Sequence, residues 1–251
     1  MIKNAEFETV ASLGVPLKEH QTDVQGFREH VKKWKYPRCY AGGPIDAGGW
    51  RDQKLIEYYV SLELMDIQPS DVIIDVASEW SVFPNVVNQM TGAKVYRQDL
   101  IYPPGIHGDH IGGSAADMQI PDEFADKLVL HNAFEHFEGN ADSGFIREAY
   151  RVLKPGGVLC LLPLFLTTEH CILTDPLISR PGIVWDEGAR VVQMPWWNNR
   201  FGRFYDLDAL QRRVLSPGEG FNTTIYYVSN IQDVHRGVYL YFVLLMEKPA
   251  G

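Results

Sequence analysis

Acids and histidines in this 251-residue chain gather beside short β-branched runs. Asp75, Ala77, Ser78, Glu79 and Ser81 stand at or just past the end of one run, residues 72–76. Asp99 and Leu100 follow the next, at 93–96. Asp117 and Met118 precede a third at 127–130, and His131, Asn132, Glu135 and His136 come after it. A mouth carrying Asp75, Glu79, Asp99 and Asp117 would repel a pyrophosphate. It suits a ligand that brings hydroxyls, amines and net positive charge. His131, Glu135 and His136 are the side chains there that can take or give a proton. Each residue also has a plainer reading. The aspartates serve well in turns, where their carboxyls satisfy loop amides. His136 suits a structural histidine bonded to backbone, and Glu135 and Glu138 suit the acidic start of a helix. His107, Asp109 and His110 are of metal-binding type, but no third ligand stands at a recognisable spacing, so no metal is expected.

The elements that would position these groups follow from periodicity. Leu55, Ile56, Tyr59 and Leu62 fall on one helical stripe beginning at Arg51 and closed by Pro69-Ser70. Val72-Ile73-Ile74-Asp75-Val76 lacks alternation, the pattern of a strand buried on both faces. Residues 84–90 read as a helix with a proline in its first turn. Residues 93–96 read as a strand ending at Asp99, and 127–130 as a third strand. A helix over 145–153 is stopped by Lys154-Pro155-Gly156-Gly157, with another buried strand at 158–162. After a long irregular stretch, Asp206 caps a helix carrying Leu207, Leu210 and Val214. Strands at 223–228 and 237–246 finish the chain. This alternation predicts an open α/β sheet, mostly parallel, with helices on both faces. The last two strands, joined without a helix, must run antiparallel. Ligands of such sheets bind beyond the carboxyl ends of the strands, where these acids fall.

Composition narrows the function classes. Hydrophobic residues at 45% and charged residues at 22% exclude wholesale disorder. A net charge of −9 argues against a nucleic-acid partner. The longest apolar run, 158–166, is broken by Pro163 and too short to span a bilayer, so no membrane partner is expected. Residues 1–6 show no apolar signal core, and Cys39, Cys160 and Cys171 show no metal or redox spacing. A cytoplasmic protein is expected. Residues 1–50 read as a loop-rich cap, with Gly/Pro clusters at 41–44 and 47–50. Residues 51–251 read as one domain with an insert near 167–203. The insert holds Trp196-Trp197-Asn198-Asn199-Arg200, which suits either a ligand pocket or a hydrophobic flap on the sheet edge. Oligomeric state is not readable.

Three segments, in this order and at these intervals, carry a resemblance. They are Ala116-Asp117-Met118-Gln119-Ile120-Pro121, the stretch from Asp126 to Phe137 ending in His131-Asn132-Ala133-Phe134-Glu135-His136-Phe137, and Arg147-Glu148-Ala149-Tyr150-Arg151-Val152-Leu153-Lys154-Pro155-Gly156-Gly157. From about Leu55 to Lys248 the chain resembles the class I S-adenosylmethionine-dependent methyltransferases. The resemblance implies a Rossmann-like sheet, S-adenosyl-L-methionine as cofactor, and methyl transfer to O or N of a small molecule. The aromatic and amide content of the insert favours a polar acceptor. Asp75, with Ala77, Ser78 and Glu79, would order the loop around the methionine part of the cofactor. Asp99, followed by Leu100, would bind the two ribose hydroxyls. Asp117 would accept from the adenine amino group, and Met118 would meet the ring. His131 and Asn132 would face the sulfonium and the acceptor. His131 is the first candidate base, followed by His136 and Glu135. The cofactor's net charge of +1 suits the acidic mouth.

One departure stands out. The family's first loop usually reads Asp-x-Gly-x-Gly-x-Gly, whereas here it is Asp75-Val76-Ala77-Ser78-Glu79-Trp80-Ser81. Glycine there permits positive φ and a close approach of backbone to ligand. Glu79 would either repel the cofactor's carboxylate or pair with its ammonium. The alternative function is therefore a non-catalytic methyltransferase fold acting as a binding or regulatory module. A nicotinamide dehydrogenase would need G-x-G-x-x-G after the first strand, and this loop contains no glycine. Acceptor specificity is expected in the first fifty residues and the insert.

Overall fold

The computed structural model describes residues 10–34, 36, 39–40, 43–44, 50–178 and 181–251. Residues 1–6, the Cys39 side chain and most of the two Gly/Pro clusters lie outside these. The strands of the two larger sheets are β1 (Leu17–His20), β2 (Val72–Val76), β3 (Lys94–His107), β4 (His110–Gly112), β5 (Ala125–His131), β6 (Leu153–Leu162), β7 (Cys171–Thr174), β8 (Arg190–Gln193), β9 (Gly202–Phe204), β10 (Asn222–Val228) and β11 (Phe242–Glu247). The helices are α1 (Val24–Trp34), α2 (Trp50–Met65), α3 (Phe83–Thr91), α4 (Ala141–Val152) and the short α5 (Leu207–Leu210).

Eight strands form one sheet in the order β1-β10-β11-β6-β5-β2-β3-β4. β11 runs antiparallel to both β10 and β6, as the sequence required of the closing pair. β6, β5, β2 and β3 are parallel. Chain order reverses around β2, which has β3 on one side and β5 on the other, so a crevice opens beyond their carboxyl ends.

Each central strand feeds two cores because its side chains alternate. Ile74, Val76, Leu128, Leu130, Leu159 and Leu161 pack on one face with Phe145, Ile146 and Ala149 of α4. Ile73, Val129, Cys160 and Leu162 pack on the other with Leu55, Ile56 and Tyr58 of α2 and Phe83 and Val87 of α3. α3 carries Pro84 in its first turn, where a missing N–H costs nothing. It ends at Gly92 with φ 81°, whose N–H bonds the Asn88 carbonyl. The Asp206 side chain caps α5 by accepting from the Ala209 N–H at 2.8 Å.

Three expectations change. Residues 17–20 and 24–34, composed like loop, form the edge strand β1 and the helix α1. The strand reaching Asp99 continues to His107 and turns back on β4, because His110–Gly112 pairs with both arms around it. The irregular insert contains a second sheet, β8-β7-β9. Among the described residues, no helix is long and apolar enough to cross a membrane.

Candidate active site

Two cavities meet at His136. The first, about 290 Å³, lies in the crevice beyond β2 and β3. Its lining comes from the loop after β2 (Ala77), the end of β3 (Gln98, Asp99 and Leu100), residues 114–116, and the segment holding His136, Phe137, Glu138 and Ala141. The glycine-free loop holds the conformation that glycine would give it: Ala77 has φ 51° and Glu79 φ 36°. Left-handed backbone is costly for a residue with a Cβ, by about 1–2 kcal/mol each, and survives here because the loop is stapled. Gln98 Oε1 accepts from the Ala77 N–H at 3.2 Å. Asp99 Oδ2 accepts from the Glu79 N–H at 2.8 Å, and Asp99 Oδ1 from the Ile101 N–H at 3.2 Å. Each of those carboxyl oxygens keeps a further acceptor position. The Glu79 side chain is exposed and does not line the cavity.

The second cavity, about 360 Å³, opens between the ends of β5 and β6 and the insert. Asn132, Glu135, His136, Thr167 and Asn199 supply polar atoms. The rest of the wall is Leu164, Phe165, Leu166, Leu173, Met194, Trp197, Phe204, Tyr239, Tyr241 and Phe242. Trp197 and Asn199 of the aromatic insert motif therefore line a pocket. Their turn is fixed by Asp175, whose Oδ2 accepts from the Asn198 N–H at 2.8 Å. Trp197 seats because residue 202 is glycine; a Cβ there would come 2.3 Å from the ring. The lining is mostly hydrocarbon, against the polar acceptor that the insert's composition favoured.

His136 faces both cavities. Its Nδ1 lies 2.6 Å from the Phe201 carbonyl oxygen, which can only accept, so Nδ1 is assigned as the donor and Nε2 keeps its lone pair. Nε2 stands 3.5 Å from Glu135 Oε1. Glu135 is buried, and its Oε2 has no hydrogen-bond partner among the described residues. Burial raises the Tyr239 hydroxyl far above an ordinary phenol, with the Glu57 and Glu135 carboxyls adding to it.

Other residues singled out in the sequence sit elsewhere. His131 is buried between the Tyr58 and Phe83 rings, at centroid distances of 4.8 and 4.6 Å. Its Nε2 lies 3.0 Å from Ser61 Oγ, whose own proton goes to the Tyr58 carbonyl. Its Nδ1 lies 3.4 Å from the buried Asp75 Oδ1. These two form an internal pair and line neither cavity. Met118 is core, and its N–H donates to Glu148 Oε1 at 2.7 Å. Asp117 is exposed with its carboxyl toward Gln119. The crevice cavity is instead lined by the residues just before them, 114–116. Asn132, with φ 53°, faces the second cavity and accepts from the Tyr239 hydroxyl at 3.3 Å. Asp109 and His110 pair with each other, and His107 faces the Pro104 carbonyl. Among the described residues, no three His, Cys, Asp or Glu side chains are grouped to hold a metal.

Two polar systems escaped sequence reasoning. On α2, Gln53, Lys54, Glu57 and Ser61 are buried. Lys54 Nζ donates to Glu57 Oε2 at 3.1 Å and to the His131 carbonyl at 2.9 Å, and the Tyr239 N–H donates to Gln53 Oε1 at 2.8 Å. Burial drives the Glu57 pKa up, and Lys54, Gln53 and His131 offset only part of this. The second is an ionic clasp on the insert. Arg203, fully buried, forks onto Asp186 at 2.6 and 2.8 Å and donates to the Phe137 and Gly139 carbonyls at 2.6 and 2.8 Å. Arg213 forks onto Asp142 at 2.8 Å through each nitrogen. Arg200 joins Glu138 at 2.6 and 3.0 Å. The clasp fixes the 134–139 segment, and therefore His136, between the cavities.

Comparison with known proteins agrees with this geometry. Residues 83–161 match the family model described as a methyltransferase domain. No curated protein matches the chain in sequence. Its fold is similar to that of a Pyrococcus horikoshii OT3 protein, at 16% identity and TM-score 0.56, over 87% of this chain and 98% of that one. It is also similar to a structure of the Haloferax volcanii Trm112 methyltransferase activator in complex with a methyltransferase, at 11% identity and TM-score 0.53, over 90% and 98%. A weaker likeness, TM-score 0.48 at 13% identity over 99% and 92%, is to a Burkholderia thailandensis 1,6-didemethyltoxoflavin-N1-methyltransferase with bound 1,6-didemethyltoxoflavin and S-adenosylhomocysteine. Residues 83–161 thus carry a methyltransferase-domain match, and the sheet order with the crevice at its carboxyl edge gives the chain a Rossmann-like methyltransferase fold.

Proposed function

We propose that this chain moves a methyl group from S-adenosylmethionine to an oxygen or nitrogen of a small molecule, with the cofactor in the Asp99 cavity and the acceptor beside Glu135. The observation that carries this reading is the meeting of a crevice cavity and an insert cavity at one histidine. The residues present suit the cofactor. Asp99 offers paired carboxyl oxygens to vicinal hydroxyls, Leu100 an apolar surface to a base, and Ala77 a left-handed turn that brings backbone close. Bound there, the cofactor supplies a methyl group on a positively charged sulfur, a leaving group that needs no further activation.

The chain's own work is alignment and proton transfer. Holding acceptor and methyl carbon in line is worth on the order of 7–11 kcal/mol. With cofactor and acceptor bound, His136 Nε2 would take the acceptor's proton as the methyl group passes to the acceptor atom and the sulfur leaves as a neutral thioether. Glu135 steadies the charged ring. A general base adds roughly 10²–10⁴-fold.

The non-catalytic alternative drew on the lost glycines and on Glu79. Positive φ at Ala77 and Glu79, and a Glu79 side chain turned to solvent, favour cofactor binding instead. Isothermal titration with S-adenosylhomocysteine tests the reading. Binding that weakens about tenfold or more in Asp99→Asn is expected. No heat at millimolar ligand overturns it.

A further inference from the structure

The insert cavity is an apolar box in which, among the described residues, one buried side-chain polar atom has no partner. Phe165 stands against Phe204 and Tyr239, with ring centroids 4.8 and 5.9 Å apart, and Trp197 closes the opposite side beside His136 at 6.0 Å. Rings arranged this way favour a guest that presents a flat face or an edge to them. Most polar groups in the wall are already engaged. Asn132 Oδ1 accepts from Tyr239, Asn199 Nδ2 donates to the Trp197 carbonyl at 3.2 Å, and Thr167 Oγ1 donates to the Glu169 carbonyl at 2.9 Å. Glu135 is the exception. It is 5% exposed, and its Oε2 has no partner among the described residues. Leaving such an atom unmatched is costly, and a donor carried by a ligand removes the cost.

We infer that this cavity takes an apolar ring compound bearing a single O–H or N–H donor, which Glu135 Oε2 accepts. Naming that compound the methyl acceptor rests on the methyltransferase reading; the cavity's preference does not. A glycoside fits poorly, because several of its hydroxyls would be buried against hydrocarbon with nothing to bond. The volume, about 360 Å³, equals that of roughly a dozen liquid waters at about 30 Å³ each, which accommodates a two-ring molecule. The donor would also lie near His136, whose Nε2 stands 3.5 Å from the same carboxylate.

The test is titration of three probes into the full chain, with and without saturating S-adenosylhomocysteine: 2-naphthol, 2-methoxynaphthalene and methyl β-glucoside. The inference expects 2-naphthol to bind about tenfold or more tighter than its ether. It expects the glucoside not to bind. In Glu135→Leu the two naphthalenes should bind equally, since the frame still fits and only the donor's partner is gone. Met194→Glu, at a half-exposed position on the rim, should weaken both naphthalenes and leave S-adenosylhomocysteine unaffected. Equal binding of naphthol and ether to the unaltered chain, or glucoside binding, overturns the inference while leaving the cofactor reading intact. Naphthol binding that depends on Glu135 without any S-adenosylhomocysteine binding supports the cavity's preference and defeats methyl transfer. Absence of all binding defeats both.

Discussion

The two cavities that share His136 are built in opposite ways. Apart from the shared 136–141 wall, the crevice side is made of strand ends and tight loops within about forty residues, from Ala77 to Ala116, held by bonds such as Asp99 to the Glu79 N–H. The insert side is assembled from segments far apart in sequence. Its position depends on buried ion pairs, Arg203 with Asp186 and Arg213 with Asp142. Local construction leaves a readable motif. Long-range construction leaves only scattered arginines and aspartates, because nothing in their spacing says which will pair. The comparison also separates two kinds of strain. The crevice tolerates left-handed Ala77 and Glu79 for the sake of loop shape, whereas the insert buries charge for the sake of placement.

Breaking the clasp gives the largest effect. Arg203→Leu leaves Asp186 and its neighbours short of a counter-charge in the interior, and a loss of about 3–5 kcal/mol in unfolding free energy is expected. Denaturant melts check it, and a change below 1 kcal/mol would mean the network is slack. If the protein survives, acceptor-side binding should fail before cofactor binding does.

Next comes a contrast of two histidines. His136→Ala should lower turnover by roughly 10²–10⁴-fold with S-adenosylhomocysteine affinity nearly unchanged. His131→Phe should cost about 1–3 kcal/mol of stability, because Ser61 and Asp75 lose a buried partner, and should change turnover far less. Paired kinetics and melts decide between them. The reverse ranking would return the base to His131.

A smaller effect concerns acid. Burial alone would raise the Asp186 pKa, but hydrogen bonds from Arg203 and His170 and the charges of Arg203 and Arg213 outweigh it and hold the carboxyl below its ordinary range. A carboxyl depressed in the folded state stabilises fully above its unfolded value, near 3.9, and loses that contribution as pH falls toward the folded value. Asp186→Asn should therefore lower stability at neutral pH and flatten its decline below about pH 4. A variant that keeps the wild-type acid slope would show that other carboxyls set it. The smallest effect expected is a gain: Ala77→Gly should stabilise by up to about 1 kcal/mol by relieving left-handed strain, less the added entropy of the unfolded chain.

Much of the fold was legible because central strands buried on both faces have a distinctive composition. Val72–Val76 and Val158–Leu162 lie in strands as read, and Asp206 caps its helix through the expected bond. The site was legible in part. Asp99, Ala77, Glu135 and His136 come to the cavities, whereas His131 left its strand toward the interior, a direction that depends on strand alternation at its last residue. α2 shows the limit most clearly. Its Gln53, Lys54, Glu57 and Ser61 lie off the apolar stripe that the sequence shows, yet they are buried, with Lys54 bonded to the His131 carbonyl and Gln53 to the Tyr239 N–H. A polar stripe looks the same in sequence whether water or a partner satisfies it. β1 was hidden for a related reason: an exposed edge strand of four residues carries too few apolar positions to show alternation.

The most direct test is a crystal structure of the chain grown with S-adenosylhomocysteine in excess. The nucleoside should lie against Asp99, Leu100 and Ala116, with its sulfur directed toward His136 and the insert cavity. A nucleoside bound elsewhere, or a crevice filled by the 77–81 loop, would contradict the account.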